Sequence, residues 1–179
     1  AIMSRAKRKK SASACRRLAA CTSTPSTLWW EQAQALEQAY WLGMRSALDQ
    51  GDWSDGMALA RAVEHIPSGA RLFVGNSLAV RNLDRFGAPG SKALEVFGNR
   101  GASGIDGNIS TALGVAAADR SRPLVAMVGD ITLYHDLNGL LALRSQGLDN
   151  VTILLFNNHG GGIFHQLPVA RFEPPFREL

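Results

Sequence analysis

The chain has 179 residues, 46% of them hydrophobic and 19% charged, which fits one globular domain with a buried core, or one domain plus a tail. No apolar run approaches the ~18 residues of a membrane-spanning helix, and two cysteines cannot build a disulfide scaffold. The net charge of +4 is unevenly spread: residues 1–26 carry seven basic residues (Arg5, Lys7, Arg8, Lys9, Lys10, Arg16, Arg17) and no acid, so residues 27–179 hold 12 basic and 15 acidic residues, a net of −3.

The basic stretch 1–26 has few large apolar residues and no period, which predicts a disordered tail. Three readings fit it: a linker or sequence artefact, a transit peptide, or a nucleic-acid-binding arm. Beyond it, Trp29, Ala33, Leu36, Tyr40, Met44 and Ala47 recur at three- and four-residue steps, predicting a helix over 28–48. Gly51 to Gly56 break the pattern. A second helix starts at Ser54 or Asp55, both good N-caps, and runs to about Ile66, before a turn at Pro67-Ser68-Gly69.

Apolar runs then alternate with helical patterns. Arg71–Val74 reads as a short strand, Ala93–Phe97 as a weaker one, and Gly101–Gly107 as a glycine-rich turn. Asn108–Ala118 reads as a helix of small residues, Leu124–Val128 as a buried strand, Asp136–Ser145 as an amphipathic helix and Val151–Phe156 as a further buried strand. Such alternation predicts an α/β, Rossmann-like parallel sheet with flanking helices.

Open parallel sheets bind ligands at the carboxyl ends of their strands. Three strands here end in polar or glycine-rich turns: Gly75-Asn76-Ser77, Gly129-Asp130 and Asn157-Asn158. Glycines let backbone approach a ligand, and the helix N-termini that follow favour phosphate. Asp130 and Asn158 offer a carboxylate and an amide oxygen from two strand ends, a set suited to Mg²⁺. A backbone carbonyl in the His159-Gly160-Gly161-Gly162 turn could complete it. Taken singly, Asp130 could be a helix cap and Asn158 a turn residue; Gly-Asp after one buried strand and Asn-Asn after the next, 28 residues later, is more specific. His159 and His165 flank this turn and either could line a pocket, whereas no Cys or His spacing suggests zinc and no Gly-x-Ser-x-Gly elbow suggests a hydrolase.

The Gly129-Asp130 and Asn157-Asn158 pair resembles the diphosphate-binding motif of thiamine-diphosphate-dependent enzymes. The runs Val74-Gly75-Asn76-Ser77, Arg81, Asn99-Arg100-Gly101-Ala102-Ser103-Gly104-Ile105-Asp106-Gly107, Asp136-Leu137-Asn138 and Asn157 through Pro168 resemble one family among them. These are the 2-succinyl-5-enolpyruvyl-6-hydroxy-3-cyclohexene-1-carboxylate synthases of the menaquinone and phylloquinone pathway. The likeness covers about residues 70–170 well and 28–69 loosely.

The resemblance implies a diphosphate-binding domain over 51–179 that is truncated at its C-terminus, preceded over 27–50 by a helix from the end of a middle domain. It implies thiamine diphosphate with Mg²⁺ (or Mn²⁺), the ion held by Asp130, the Asn158 side chain and the Gly160 carbonyl. Gly129, Ile131 and Thr132 would meet the diphosphate, Ser77 would lie near cofactor and substrate, and Ile105 would wedge the cofactor into its bent shape. Arg81 and Arg100 would bind substrate carboxylates through guanidinium forks. Ile163, Phe164 and Leu167 would wall the reacting carbons. The implied reaction is the decarboxylation of 2-oxoglutarate and addition of the resulting succinyl-semialdehyde carbanion to isochorismate. The glutamate that activates the cofactor belongs to a pyrimidine-binding domain, usually a partner subunit's, in a homodimer or homotetramer. The isolated chain is therefore expected to be inactive, with no membrane or nucleic-acid partner, in a bacterial or cyanobacterial cytoplasm or, alternatively, a plastid.

Another thiamine-diphosphate-dependent 2-oxo acid decarboxylase or ligase is the alternative, disfavoured by the arginine pair. A dinucleotide-binding fingerprint is disfavoured because Gly101, Gly104 and Gly107 are spaced three apart. Nucleic-acid binding would rest on residues 1–26 alone.

Overall fold

A computed structural model describes residues 27–172, so the expectations for the basic stretch 1–26 lie outside the described residues. Helix α1 (Thr27–Gln50) spans the predicted segment and buries none of its residues; Tyr40 and Trp41 meet edge to face, 5.0 Å between ring centres. The chain divides into two compact units between Ser46 and Ala47, and the second holds everything that follows.

In that unit, helix α2 (Asp55–His65) starts at Ser54, whose hydroxyl accepts the Met57 N–H at 3.3 Å. Strand β1 (Arg71–Val74) leads to α3 (Leu78–Phe86), an element absent from the predicted order, then to a short β2 (Glu95–Phe97). Helix α4 (Asn108–Ala118) and strand β3 (Leu124–Gly129) follow. Helix α5 (Asp130–His135) leaves β3 with no intervening loop. The helix expected over 136–145 is instead a 3₁₀ turn (Leu137–Leu140) followed by a short α6 (Leu141–Ser145). A close approach accompanies this break. A Cβ on Gly139 would stand 2.8 Å from the Ser110 hydroxyl, and Asp136 accepts both the Ser110 N–H (2.7 Å) and its hydroxyl (2.9 Å). Strand β4 (Val151–Phe156) precedes two 3₁₀ turns, Gly162–Gln166 and Pro168–Arg171.

All four strands are parallel, in the order β2-β1-β3-β4. Alternate side chains feed two cores, as the strand period requires. Leu72, Val74, Val125 and Met127 pack with Leu59, Ile66 and Ala79 of the α2/α3 layer. Phe73, Leu124 and Ala126 pack with Ala112 and Ala116 of α4, and Val128 with Ile109 and Leu113. Each fully buried Leu or Phe contributes roughly 2 kcal/mol. The predicted α/β parallel sheet with helices on both faces is thus the fold.

The strand order sets the site. From β1 the chain moves outward to β2, then returns past β1 to β3, so a crevice opens between the carboxyl ends of β1 and β3. Gly75 keeps those ends close: its N–H reaches the Met127 carbonyl at 2.8 Å, and a Cβ there would stand 3.2 Å from that oxygen.

Candidate cofactor site at the strand ends

A cleft of about 1140 Å³ opens at this switch point. One wall is the β1–α3 turn and the first residues of α3, another the β3–α5 junction, and a third the loop after β4. Of the predicted residues, Ser77, Ile105, Gly129, Asp130, Ile131, Thr132, Asn158, Gly160, Ile163 and Phe164 all line it.

The Asp130 carboxylate organises the third wall. Its Oδ2 accepts the Gly160 N–H at 2.8 Å and the Asn158 N–H at 3.2 Å; its Oδ1 accepts the Ile131 N–H at 2.7 Å. Asp130 is the first residue of α5, where the helix dipole favours a negative charge. The β4 loop turns back through three left-handed residues, His159 (φ 64°), Gly160 (φ 90°) and Gly161 (φ 62°). Asn157 Oδ1 steadies the turn by accepting the His159 N–H at 3.0 Å. Asn158 Oδ1 accepts the Gly162 N–H at 3.1 Å. One carboxylate and one amide oxygen thereby line the cleft beside the Gly160-Gly161-Gly162 turn. Such a hard-oxygen donor set, with a single carboxylate, matches Mg²⁺, which completes its shell with phosphate and water. Among the described residues no cluster of three or more His, Cys, Asp or Glu side chains offers a rival metal site.

Two helices open on the cleft without a side-chain cap. Ser77 precedes α3 and Gly129 precedes α5, and neither supplies a capping bond. Their first N–H groups are therefore suited to an anion. Thr132, 2% exposed, lines the cleft in the first turn of α5, whereas the Ile131 N–H is already engaged by Asp130. Ser77 holds φ 65° and ψ −128°, a strained conformation for a residue with a Cβ.

Three predicted residues do not line the cleft: Arg81, Arg100 and Leu167. Both arginines nevertheless converge on the end of β1. Arg81 Nη1 donates to the Ser77 carbonyl at 2.8 Å, and Arg100 Nη1 to Asn76 Oδ1 at 2.6 Å. Leu167 is 44% exposed, in the stretch between the two 3₁₀ turns. Both histidines flanking the glycine turn, His159 and His165, line the cleft. Sequence reasoning gave no role to Asn76, Asn82, Asp55, Phe156, Val169 or Phe172, all of which line it. Asn82 sits in the helix absent from the predicted order, Asn76 was read only as part of the Gly75-Asn76-Ser77 strand-end turn, and Phe156, Val169 and Phe172 carry no polar signal.

No helix among the described residues is long and apolar enough to cross a membrane.

Comparison with known proteins agrees with this geometry. A family model described as "Thiamine pyrophosphate enzyme, C-terminal TPP binding domain" matches residues 84–177. A 2-succinyl-5-enolpyruvyl-6-hydroxy-3-cyclohexene-1-carboxylate synthase from Roseiflexus sp. (strain RS-1) is 55% identical over 150 residues, covering 84% of this chain and 26% of that protein. Synthases of the same name from Geobacillus thermodenitrificans (strain NG80-2) and Halobacterium salinarum (strain ATCC 29341 / DSM 671 / R1) are 46% and 43% identical, over 86% and 92% of this chain and 25% and 28% of theirs. The chain spans about a quarter of the length of the curated relatives it matches. With its parallel sheet, its switch-point cleft and its Gly-Asp and Asn-Asn strand ends, the chain belongs to the family of thiamine pyrophosphate enzyme C-terminal TPP-binding domains.

Proposed function

We propose that this chain forms the diphosphate and cation half of the cofactor site in a 2-succinyl-5-enolpyruvyl-6-hydroxy-3-cyclohexene-1-carboxylate synthase. The single observation that carries the reading is the capture of the loop after β4 by the Asp130 carboxylate, at the carboxyl end of β3. The likeness to synthases of that name supports the substrates, 2-oxoglutarate and isochorismate. Asp130, Asn158 Oδ1 and the Gly160 carbonyl hold Mg²⁺, with Mn²⁺ as a substitute. The Thr132 hydroxyl, in the first turn of α5, takes the diphosphate oxygens. Bound thiamine diphosphate supplies the electron sink for loss of CO₂ and for carbon–carbon bond formation.

The remaining residues bind and exclude. Ile105 presses an apolar side chain against the cofactor. Arg81 and Arg100 stand at the end of β1 beside the cleft, each with Nη1 tied to the protein, and their remaining guanidinium nitrogens would take the substrate carboxylates. Ile163 and Phe164, which line the cleft, would keep water from the reacting carbons, a role the outlying Leu167 could share only by moving inward. A second, pyrimidine-binding domain supplies the glutamate that activates the cofactor, so the chain by itself binds without turning over.

Calorimetric titration of the chain with thiamine diphosphate, with and without Mg²⁺, tests this. Saturable binding that requires Mg²⁺ and is lost in Asp130→Ala is expected. Equal binding without the metal, or an Asp130→Ala variant that binds as well as the parent, would overturn the reading.

A further inference from the structure

Asn76 stands directly after β1 and is 1% exposed. A buried amide in most cases pairs both its oxygen and its nitrogen. Here Nδ2 donates to the Asn99 carbonyl at 3.1 Å and to the Gly104 carbonyl. Oδ1 accepts Arg100 Nη1 at 2.6 Å. One neutral side chain therefore ties down both ends of the 99–104 turn and the guanidinium that the turn carries.

The same turn delivers Ile105 to the cleft. The carbonyl before Ile105, that of Gly104, also accepts Asn108 Nδ2 at 3.1 Å, and the carbonyl after it, that of Asp106, accepts the same nitrogen at 3.0 Å. Asn108 is fully buried in the first turn of α4. Ile105 is thus bracketed by carbonyls held by two buried amides. Arg100 lies outside the cleft lining and Ile105 inside it, yet both are set by the amide of Asn76.

We infer that Asn76 is a positioning residue that couples the Arg100 guanidinium to the placement of Ile105. The inference rests on the proposed function for what those two residues bind, but the coupling itself is a property of the chain. An amide is the group required. A carboxylate at 76 would still hold the guanidinium but would set its oxygens against the Asn99 and Gly104 carbonyls. An alanine would release both.

The two substitutions therefore separate the two roles. In hydrogen–deuterium exchange on the full chain, Asn76→Asp and Asn76→Ala should each speed exchange of the 100–107 amides about tenfold, with β3 unchanged. In side-chain NMR, the slowed rotation of the Arg100 guanidinium should survive in Asn76→Asp and vanish in Asn76→Ala. Thiamine diphosphate with Mg²⁺, titrated into each variant, should bind about tenfold more weakly. Should Asn76→Ala not fold, Asn76→Ser carries the same expectations. Unchanged exchange over 100–107, or an Arg100 signal indifferent to the loss of Asn76, would overturn the coupling. A parent chain that failed to bind the cofactor would sink the functional reading while the exchange and NMR pattern still decided the coupling.

Discussion

Gly162 occupies space that no side chain can share. A Cβ there would stand 2.6 Å from Cγ of Asn158, the amide proposed to hold the cation. Gly162→Ala must push that amide aside, and groups that orient a metal ligand typically matter about 10- to 100-fold in metal affinity. The expected outcome is a loss of that order in Mg²⁺-dependent thiamine diphosphate binding by calorimetry, with the circular dichroism spectrum unchanged. Ser77 poses the opposite case. Its left-handed backbone costs roughly 1–3 kcal/mol for a residue with a Cβ, partly offset in glycine by a freer unfolded chain. Ser77→Gly should therefore raise stability by about 1 kcal/mol in urea denaturation. A fall instead would mean that the Ser77 hydroxyl contributes more than the strain removes. Neither constraint could be read from the sequence. Asp130 and Asn158 stood out only as a pair, Gly-Asp after one apolar run and Asn-Asn after the next, 28 residues later, although the second of those strands, expected to be buried, has no fully buried residue. The left-handed Ser77 and the buried Asn76 depend on how the turn from β1 meets the 99–107 loop, a contact made across more than 20 residues of chain.

Elements that carry their own signal were legible, and elements defined by neighbours were not. Helix α2 has a capping serine, α4 an apolar run of small residues, and β3 and β4 continuous apolar stretches. Helix α3 has no side-chain cap; its apolar face of Ala79, Val80, Leu83 and Phe86 is clear but spans only nine residues, with no start signal to mark it off from the Gly75-Asn76-Ser77 turn. Helix α5 is six residues long and abuts β3, with only Gly129 at its start. The carboxyl end of α2 illustrates the same dependence. Its last carbonyls have no partner within the helix. The Lys92 ammonium, from a loop 26 residues beyond Ile66, donates to the carbonyls of Val63 (3.1 Å), Ile66 (3.0 Å) and Glu64. A cation here also suits the negative end of the helix dipole. Lys92→Met should lower stability by about 1–2 kcal/mol in urea, and Lys92→Arg should recover part of it. No loss in Lys92→Met would show that water serves those carbonyls equally well.

The two ends of the sheet are built for opposite purposes. At the carboxyl end, glycine-rich turns and helix starts line a cleft suited to a ligand. At the amino end, charged side chains fasten the layers. Glu95 Oε2 accepts Arg71 Nε at 3.3 Å and Arg122 Nη1 at 2.8 Å, joining β2 to β1 and to the turn before β3. Arg71 reaches the Asp119 carboxylate at 3.2 Å and the Val115 carbonyl at 2.9 Å, joining β1 to the end of α4. The Ser121 hydroxyl and N–H, followed by Arg71 and Arg122, hold the Asp119 carboxyl below its ordinary range. A carboxyl whose pKa is lowered by folding stabilises the fold above its unfolded value, and that contribution fades as the pH falls through the folded one. The chain should therefore lose stability on acidification from about pH 5 to pH 3 and below. Asp119→Asn removes the titrating group. It should be less stable than the parent at neutral pH, and the two should converge as acid protonates the parent's carboxyl. Urea midpoints across that range measure the difference. Parallel curves for parent and variant would show that Asp119 does not link folding to protons and that the remaining carboxylates carry the acid sensitivity.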